Sequence, residues 1–331
     1  MTLSTPLSLT LVLCVSLMWG SWFQFLRRIG KYPVAAFMLW LYSFSFVLIS
    51  AAVVVLEKWF IPGGILNTIK NAPGYSIFVF VCGMLFCVST QIQMSVLNKA
   101  GVVFCTSVTA MVSIPYGFFI TSFFGKIPET VNIPLLVLGV SLIFAAGLLC
   151  KHSTMLRDRD QGVEYEKGSD NRTKYMIIIL LCVFFLGPSY TLAMTIAPQT
   201  VSNLNGLPTV LLVGILSAGS LVGTWIVSGI RLTLDKQWKE VAHPKNKKYI
   251  LFACVSGFCH YGGNMIHTIA IPSLSVSIAW PLGNLSSFWQ YLWGVVQGEM
   301  KGVRRRTKLF FITGLLFYLL ALVVLTFALY V

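Results

Sequence analysis

The chain has 331 residues, of which 56% are hydrophobic and only 10% are charged, whereas a soluble domain carries about 25% charged residues. Its formal net charge is +14, but the bases punctuate long apolar runs and form no basic stripe on a soluble face, which argues against a nucleic-acid partner. The expected class is an all-α integral membrane protein surrounded by lipid.

A helix needs about 20 apolar residues to cross a hydrocarbon core about 30 Å thick. Ten runs qualify: residues 7–26, 33–56, 75–97, 102–124, 131–150, 174–197, 207–230, 249–271, 274–297 and 308–330. All eight cysteines fall within or at the ends of these runs and form no CxxC pair, so they read as small packing residues. The first run has no positive n-region and no small-residue cleavage site, so it reads as a span and not as a cleaved leader.

The first span holds the stretch LCVSLMWGSW, residues 13–22. At about 100° per residue, Ser16, Gly20 and Gln24 form one small or polar stripe, a notch for another helix. Trp19 borders this stripe and is expected to line a cavity. Trp22 points away from Gly20 and lies close to Arg27, so it is expected to be an interfacial anchor. Span 3 carries Gln91, Ser95 and Asn98 on one face; span 4 carries Thr109, Ser113 and Tyr116 and is interrupted by Pro115.

The polar segment 151–173 then divides the spans five and five, giving a first repeat over 1–150 and a second over 174–331. Mixed charge and few apolar residues predict a flexible cytoplasmic linker. It contains an Asn171-Arg172-Thr173 sequon, usable only on the other side of the membrane. Span 6 holds LCVFFLGPSY, which can be laid over LCVSLMWGSW with Pro188 on Gly20 and Tyr190 on Trp22. Span 8 begins its polar stretch at Gly257 as span 3 does at Gly83, and carries His260, Asn264 and His267 on one face. Span 9 carries Trp280, Asn284, Ser287 and Tyr291, with Pro281 inside.

An odd number of spans per half turns the second half upside down, the inverted-repeat plan of many secondary transporters. Twenty-one of the Lys and Arg residues fall in alternate connections, against Lys58, Lys70 and Lys126 in the others. The positive-inside rule makes the rich side cytoplasmic and sends both termini outward.

The stripes on spans 3, 4, 8 and 9 have two readings. Single Ser and Thr groups serve as interhelical glue, whereas the convergence of Gln91, His260, Asn264, Asn284 and Tyr291 implies a central polar cavity. At about 1.5 Å per residue, His260 lies roughly 16 Å deep, near the midplane, and His267 near the outer surface. Asn284 also falls near the middle. All ten acidic residues lie in loops or near span ends, which disfavours a carboxylate proton relay, a carboxylate cage for sodium and most hydrolase mechanisms. His260 is left as either a proton-coupling group or a hydrogen-bonded structural one. No Walker loop, dinucleotide fingerprint or HExxH motif is present, so neither a cofactor, a metal nor an enzyme activity is expected. Donors and acceptors without fixed charge, beside aromatic rings, suit a neutral hydroxylated or heterocyclic solute.

The ten spans, Trp19-Gly20-Ser21-Trp22 followed by RRIGKYP, and YLWGVVQGEMKG from Tyr291 to Gly302 resemble the drug/metabolite transporter superfamily, closest to its glucose/ribose porter, rhamnose-proton symporter and ureide permease branch. The resemblance implies uptake of sugars or related metabolites by alternating access, at the plasma (inner) membrane. It gives Gly20, Glu299 and Lys301 a gating or motif role. The chain departs from the branch in having Gln297-Gly298 before Glu299 and no acidic residue early in span 2. The resulting expectation is a secondary importer of a neutral metabolite, with proton coupling open. The competing readings are an exporter of amphipathic drugs or metabolites on the same fold and a non-transporting membrane receptor or scaffold.

Overall fold

The structure is a computed structural model that describes residues 3–100, 102–125, 127–162, 171–200 and 203–330; within these, the side chains at 27, 98–100, 102–104, 106, 107, 110, 111, 171 and 172 are not described. Asn98 and the sequon's Asn171 therefore fall outside the described side chains.

The described residues form helices joined by short connections, with two isolated bridges near 198–207 and no strand. Seven helical segments are long and apolar enough to cross a membrane: Thr5–Leu26, Val34–Phe60, Pro73–Leu97, Ile133–Asp160, Thr173–Ile196, Thr209–Leu234 and Arg305–Phe327. Their outward faces carry exposed Val47, Val54, Ile77, Ile226 and Leu316, a density of apolar surface that requires lipid around it. The chain is a multi-pass, all-helical membrane protein.

In chain order the helices are α1 (Thr5–Ser21), α2 (Val34–Phe60), α3 (Ile65–Asn71), α4 (Pro73–Ala100), α5 (Val102–Gly125), α6 (Ile133–Asp160), α7 (Asn171–Phe185), α8 (Pro188–Ile196), α9 (Thr209–Leu234), α10 (Trp238–Ala242), α11 (Lys248–Gly257), α12 (Gly263–Leu274), α13 (Val276–Gly283), α14 (Ser286–Val296) and α15 (Arg305–Phe327). Local chemistry sets several of the breaks. Pro188 opens α8 because a proline at the first turn forfeits no hydrogen bond. Asn132 caps α6 by accepting from the Leu135 N–H. Ser275, at a φ of 63°, turns the chain between α12 and α13.

Three of the ten expected spans are less regular. Residues 102–125 form α5, of which Val112–Gly125 is the apolar part with described side chains. The eighth is α11 and α12 joined through a π-helical turn, Phe258–Gly262. The ninth is two short helices, α13 and α14, broken at Asn284 and Leu285.

Two ends of the bundle can be told apart by their contacts. At the base-poor end Ser273 donates to the Leu3 carbonyl and the Asn132 N–H to the Ala328 carbonyl. At the base-rich end Trp40 donates to the Val241 carbonyl, and Arg157 meets Glu299 at 2.9 Å.

The segment expected to be a flexible linker from 151 is helical to Asp160. The cause is α15, whose start holds it: Ser153 donates to the Thr307 carbonyl, and Asp160 accepts from the Arg304 N–H and the Thr307 hydroxyl. Residues 163–170 lie outside the described residues.

Close crossings rest on glycine. A Cβ at Gly219 would collide with the Phe80 carbonyl, and one at Gly83 with the Leu216 carbonyl, so α4 and α9 touch backbone to backbone. Ser220 donates to the Gly83 carbonyl at 2.8 Å. Across the bundle α2 meets α11 in the same manner: a Cβ at Gly257 would lie 2.7 Å from the Leu41 carbonyl, and Ser45 donates to the Gly257 carbonyl at 3.2 Å.

Candidate functional site

The interhelical notch expected on α1 is present and has α14 in it. A Cβ on Gly20 would lie 2.5 Å from Trp289 Cβ. Above and below, three hydrogen bonds run in register: Trp289 Nε1 to Ser16 Oγ, Trp293 Nε1 to Ser21 Oγ, and Gln297 Nε2 to Gln24 Oε1. Gly20 thus serves a close helix approach.

After Ser21 the α-helix gives way to a 3-10 turn over Trp22–Arg28. Trp22 still points away from Gly20, but that opposite face of α1 is covered too: Ser256 donates to the Trp22 carbonyl and the π-helical turn before α12 packs against it. The Trp22 ring is 8% exposed and lies against His260, with centroids 4.4 Å apart. The expectation of an interfacial anchor is therefore wrong; Trp22 belongs to the interior, with Trp19.

The centre of the bundle is a continuous aromatic layer. His260, presented by the π-helical turn, contacts Trp22 on one side and stacks on Phe86 at 5.5 Å and 15°. Phe86 meets Tyr190 at 5.2 Å. Tyr190 then contacts Trp19 and Trp280, at 6.0 and 6.1 Å. Its hydroxyl lies 3.3 Å from His267 Nδ1. His267 is buried, 4.9 Å from the Trp19 ring.

Several polar atoms in this layer have no hydrogen-bond partner among the described residues. Both nitrogens of His260, Asn264 Nδ2, Trp19 Nε1 and Trp280 Nε1 are buried and unpartnered. Each such atom costs about 1–3 kcal/mol if left unmade. Three of the atoms can only donate, and a neutral imidazole offers one donor and one acceptor. Glycines let the indoles in: a Cβ at Gly263 would lie 2.8 Å from Trp19 Nε1, one at Gly283 would lie 2.7 Å from the Trp19 ring, and one at Gly117 would overlap Trp280 Nε1.

Next to Trp22, toward the base-rich end, is a cavity of about 150 Å³. It brings together the expected Thr109, Ser113 and Asn284, and adds Gln93, Gln290, Ser286 and Ser287. Asn284 is partly turned back, its Nδ2 donating to the Trp280 carbonyl. At the base-poor end a wider vestibule of about 1050 Å³ is lined by Tyr75, Ile127, Thr195, Asn203 and Ser275. Thr195 is five residues beyond Tyr190 on α8, about 7–8 Å along the axis. The aromatic layer thus lies between the two hollows.

Three expected site residues lie elsewhere. Gln91 accepts from Ser228 and donates to Cys87 Sγ, joining α4 to α9; it is one turn too far along α4 to meet His260. Tyr116 stacks on Phe184 at 5.0 Å, toward the bundle's surface. Tyr291 is fully buried against Phe311 and Tyr318 of α15, because the break before α14 turns it away from the cavity. Glu299 pairs with Arg157, and Gln161 donates to the Glu299 and Lys301 carbonyls, so this motif ties the α14–α15 connection to the end of α6.

The eight cysteines are free thiols. No group of three or more His, Cys, Asp or Glu suited to a metal occurs among the described residues. No protein-family model and no curated protein matches the chain.

Proposed function

We propose that the chain is a secondary carrier that imports a neutral, hydroxylated or heterocyclic metabolite, such as a sugar, by alternating access, and that it belongs to the drug/metabolite transporter superfamily. The observation that carries this reading is the set of unpartnered polar atoms on Trp19, His260, Asn264 and Trp280, buried between a hollow toward each end. A solute with acceptor oxygens and an apolar ring face answers both the donors and the aromatic walls. The cavity beside Trp22 is smaller than the roughly 300–1,000 Å³ of sites that enclose a drug-sized ligand. Entry of a solute therefore needs the halves to part.

The halves are ten crossings in two inverted sets of five, residues 1–150 and 174–331. Helix packing supports this. In the register that lays Gly83 on Gly257, Phe86 falls on His260, and these two rings stack on one another. Trp22, laid on Tyr190, touches His260 as Tyr190 touches Phe86. Ser220 bonds the Gly83 carbonyl as Ser45 bonds that of Gly257. Paired contacts of this kind are what a two-fold axis in the membrane plane produces, and substrate sites of inverted-repeat carriers lie at that axis. The base-rich end is cytoplasmic, both termini face outward, and the membrane is the plasma (inner) membrane.

The deciding experiment is uptake of a labelled sugar and nucleoside panel into proteoliposomes, with and without a pH gradient. Uptake that rises with an inward proton gradient supports coupling through His260; uptake indifferent to it makes the carrier a facilitator. The density of rings around Trp19 gives the exporter reading its own support, since planar amphipathic solutes stack on such walls. If no solute enters vesicles while cells expressing the protein extrude aromatic dyes, import is wrong and export stands.

A further inference from the structure

A third cavity, of about 320 Å³, lies between α2, α4, α7 and α9. It sits on the far side of Gln91 from the aromatic layer, and its walls include Val34, Ile92, Ile178 and Val227. Two cations, Lys174 and Arg231, also line it, both exposed and both at the base-rich end. The neighbours of these lining residues on α7 and α9, Ile177, Ile226 and Ile230, are exposed and apolar, so the chamber adjoins hydrocarbon.

Among the described residues Arg231 pairs with Asp235, at 3.8 Å with both side chains about half exposed. An exposed pair at that distance contributes little and leaves the guanidinium able to take another anion. A chamber that borders the lipid and is walled by Val34, Ile92, Val96, Ile178 and Val227 beside Gln91, Ser95 and Tyr175, with two cations where the hydrocarbon meets water, calls for an amphiphile with an anionic head. A soluble phosphate would use the cations and leave the apolar walls unserved.

We propose that this cavity binds an anionic phospholipid from the leaflet at the base-rich end, with the phosphate between Lys174 and Arg231 and the upper part of one acyl chain in the chamber. The site is separate from the proposed solute cavity and does not depend on what the protein carries.

The test is native mass spectrometry of the full chain in detergent, titrated with phosphatidylglycerol, with phosphatidylcholine of the same acyl chains, and with glycerol phosphate. Phosphatidylglycerol should bind with one preferred site, phosphatidylcholine more weakly, and glycerol phosphate not at all at matched concentration. Lys174→Gln and Arg231→Gln should each lower phosphatidylglycerol affinity roughly fivefold, and roughly twentyfold together. Binding unchanged in the double variant overturns the proposal, and glycerol phosphate competing as well as the lipid overturns the lipid as occupant. Should a variant fail to fold, the wild-type protein cross-linked to a photoreactive acyl phosphatidylglycerol decides: labels on residues 91–96 or 174–178 support the site, and labels elsewhere refute it.

Discussion

Trp22 leans on His260, and Tyr190 leans on Phe86, so the two proposed halves meet at the centre through the same kind of contact made from different chemistry. The second half supplies an imidazole whose two nitrogens are unpartnered. At the equivalent place the first half supplies a benzene ring, which has nothing to pair. On the proposed reading, likeness between the halves builds the scaffold and unlikeness builds the site. A strictly two-fold centre would present the same groups to a solute from both sides, whereas an asymmetric solute needs one polar wall and one apolar wall.

The largest expected effects break the scaffold. Gly219→Val sets a branched side chain against the Phe80 backbone, where neither partner can yield, and should destabilise the protein by about 3 kcal/mol. Gly257→Val, at the matching crossing, meets the Leu41 carbonyl and the more adaptable Ser45 and Phe44 side chains, and should be milder. The check is the fraction remaining monodisperse after heating in detergent. If Gly257→Val is tolerated as well as an exposed substitution such as Val47→Ala, the two crossings are not equivalent.

His260→Phe makes the two halves alike at the centre. The stack with Phe86 and Trp22 survives, so thermal stability should hardly change, while loss of contacts to solute worth about 1–3 kcal/mol weakens binding roughly 5- to 150-fold. Uptake kinetics in proteoliposomes measure this, with Phe86→Leu as the comparison that perturbs packing and removes no polar group. Wild-type kinetics in His260→Phe would mean that the polar wall lies elsewhere.

Much of this arrangement follows from sequence periodicity alone. The α1 notch at Ser16, Gly20 and Gln24 needs only a regular helix, and there the helix is regular. The location of Thr109, Ser113 and Asn284 around one hollow follows similarly. Angular position alone does not say which faces of a helix are covered: α1 is packed on two sides, so Trp22, opposite Gly20, is interior as well, and the break at Asn284 and Leu285 sends Tyr291 toward α15. The helical residues 151–160 were hidden because their stability comes from α15, more than a hundred residues away, through Ser153, Asp160 and Thr307.

At the base-rich end the segment between the proposed halves is tied to the second of them by Arg157 and Glu299, each little exposed. Arg157→Gln should weaken that junction by about 2 kcal/mol. Glu299→Gln in the same chain should restore part of the loss, because a neutral partner no longer needs the guanidinium. The readout is the rate of solute exchange, with thermal stability measured in parallel. Additive single-variant effects would mean that the pair does not act as a unit.

The smallest expected effect is the most direct measure of how far the two crossings differ. Ser45 and Ser220 each donate to the carbonyl of a glycine across the interface, Gly257 and Gly83. A hydrogen bond of this kind inside a membrane protein is worth about 0.6 kcal/mol on average, and Ser45→Ala should change stability by no more than that, since Ser45 also spends its proton on Leu41 within its own helix. Ser220 has an extra duty: the buried Tyr261 hydroxyl donates to it. Ser220→Ala therefore leaves a phenol in the interior without its acceptor, and the loss should reach about 1–2 kcal/mol. Combining it with Tyr261→Phe should return the loss to the level of Ser45→Ala. Equal effects of the two single variants would mean that the hydroxyl bond to Tyr261 adds nothing, and that the crossings differ in side chains alone and not in strength.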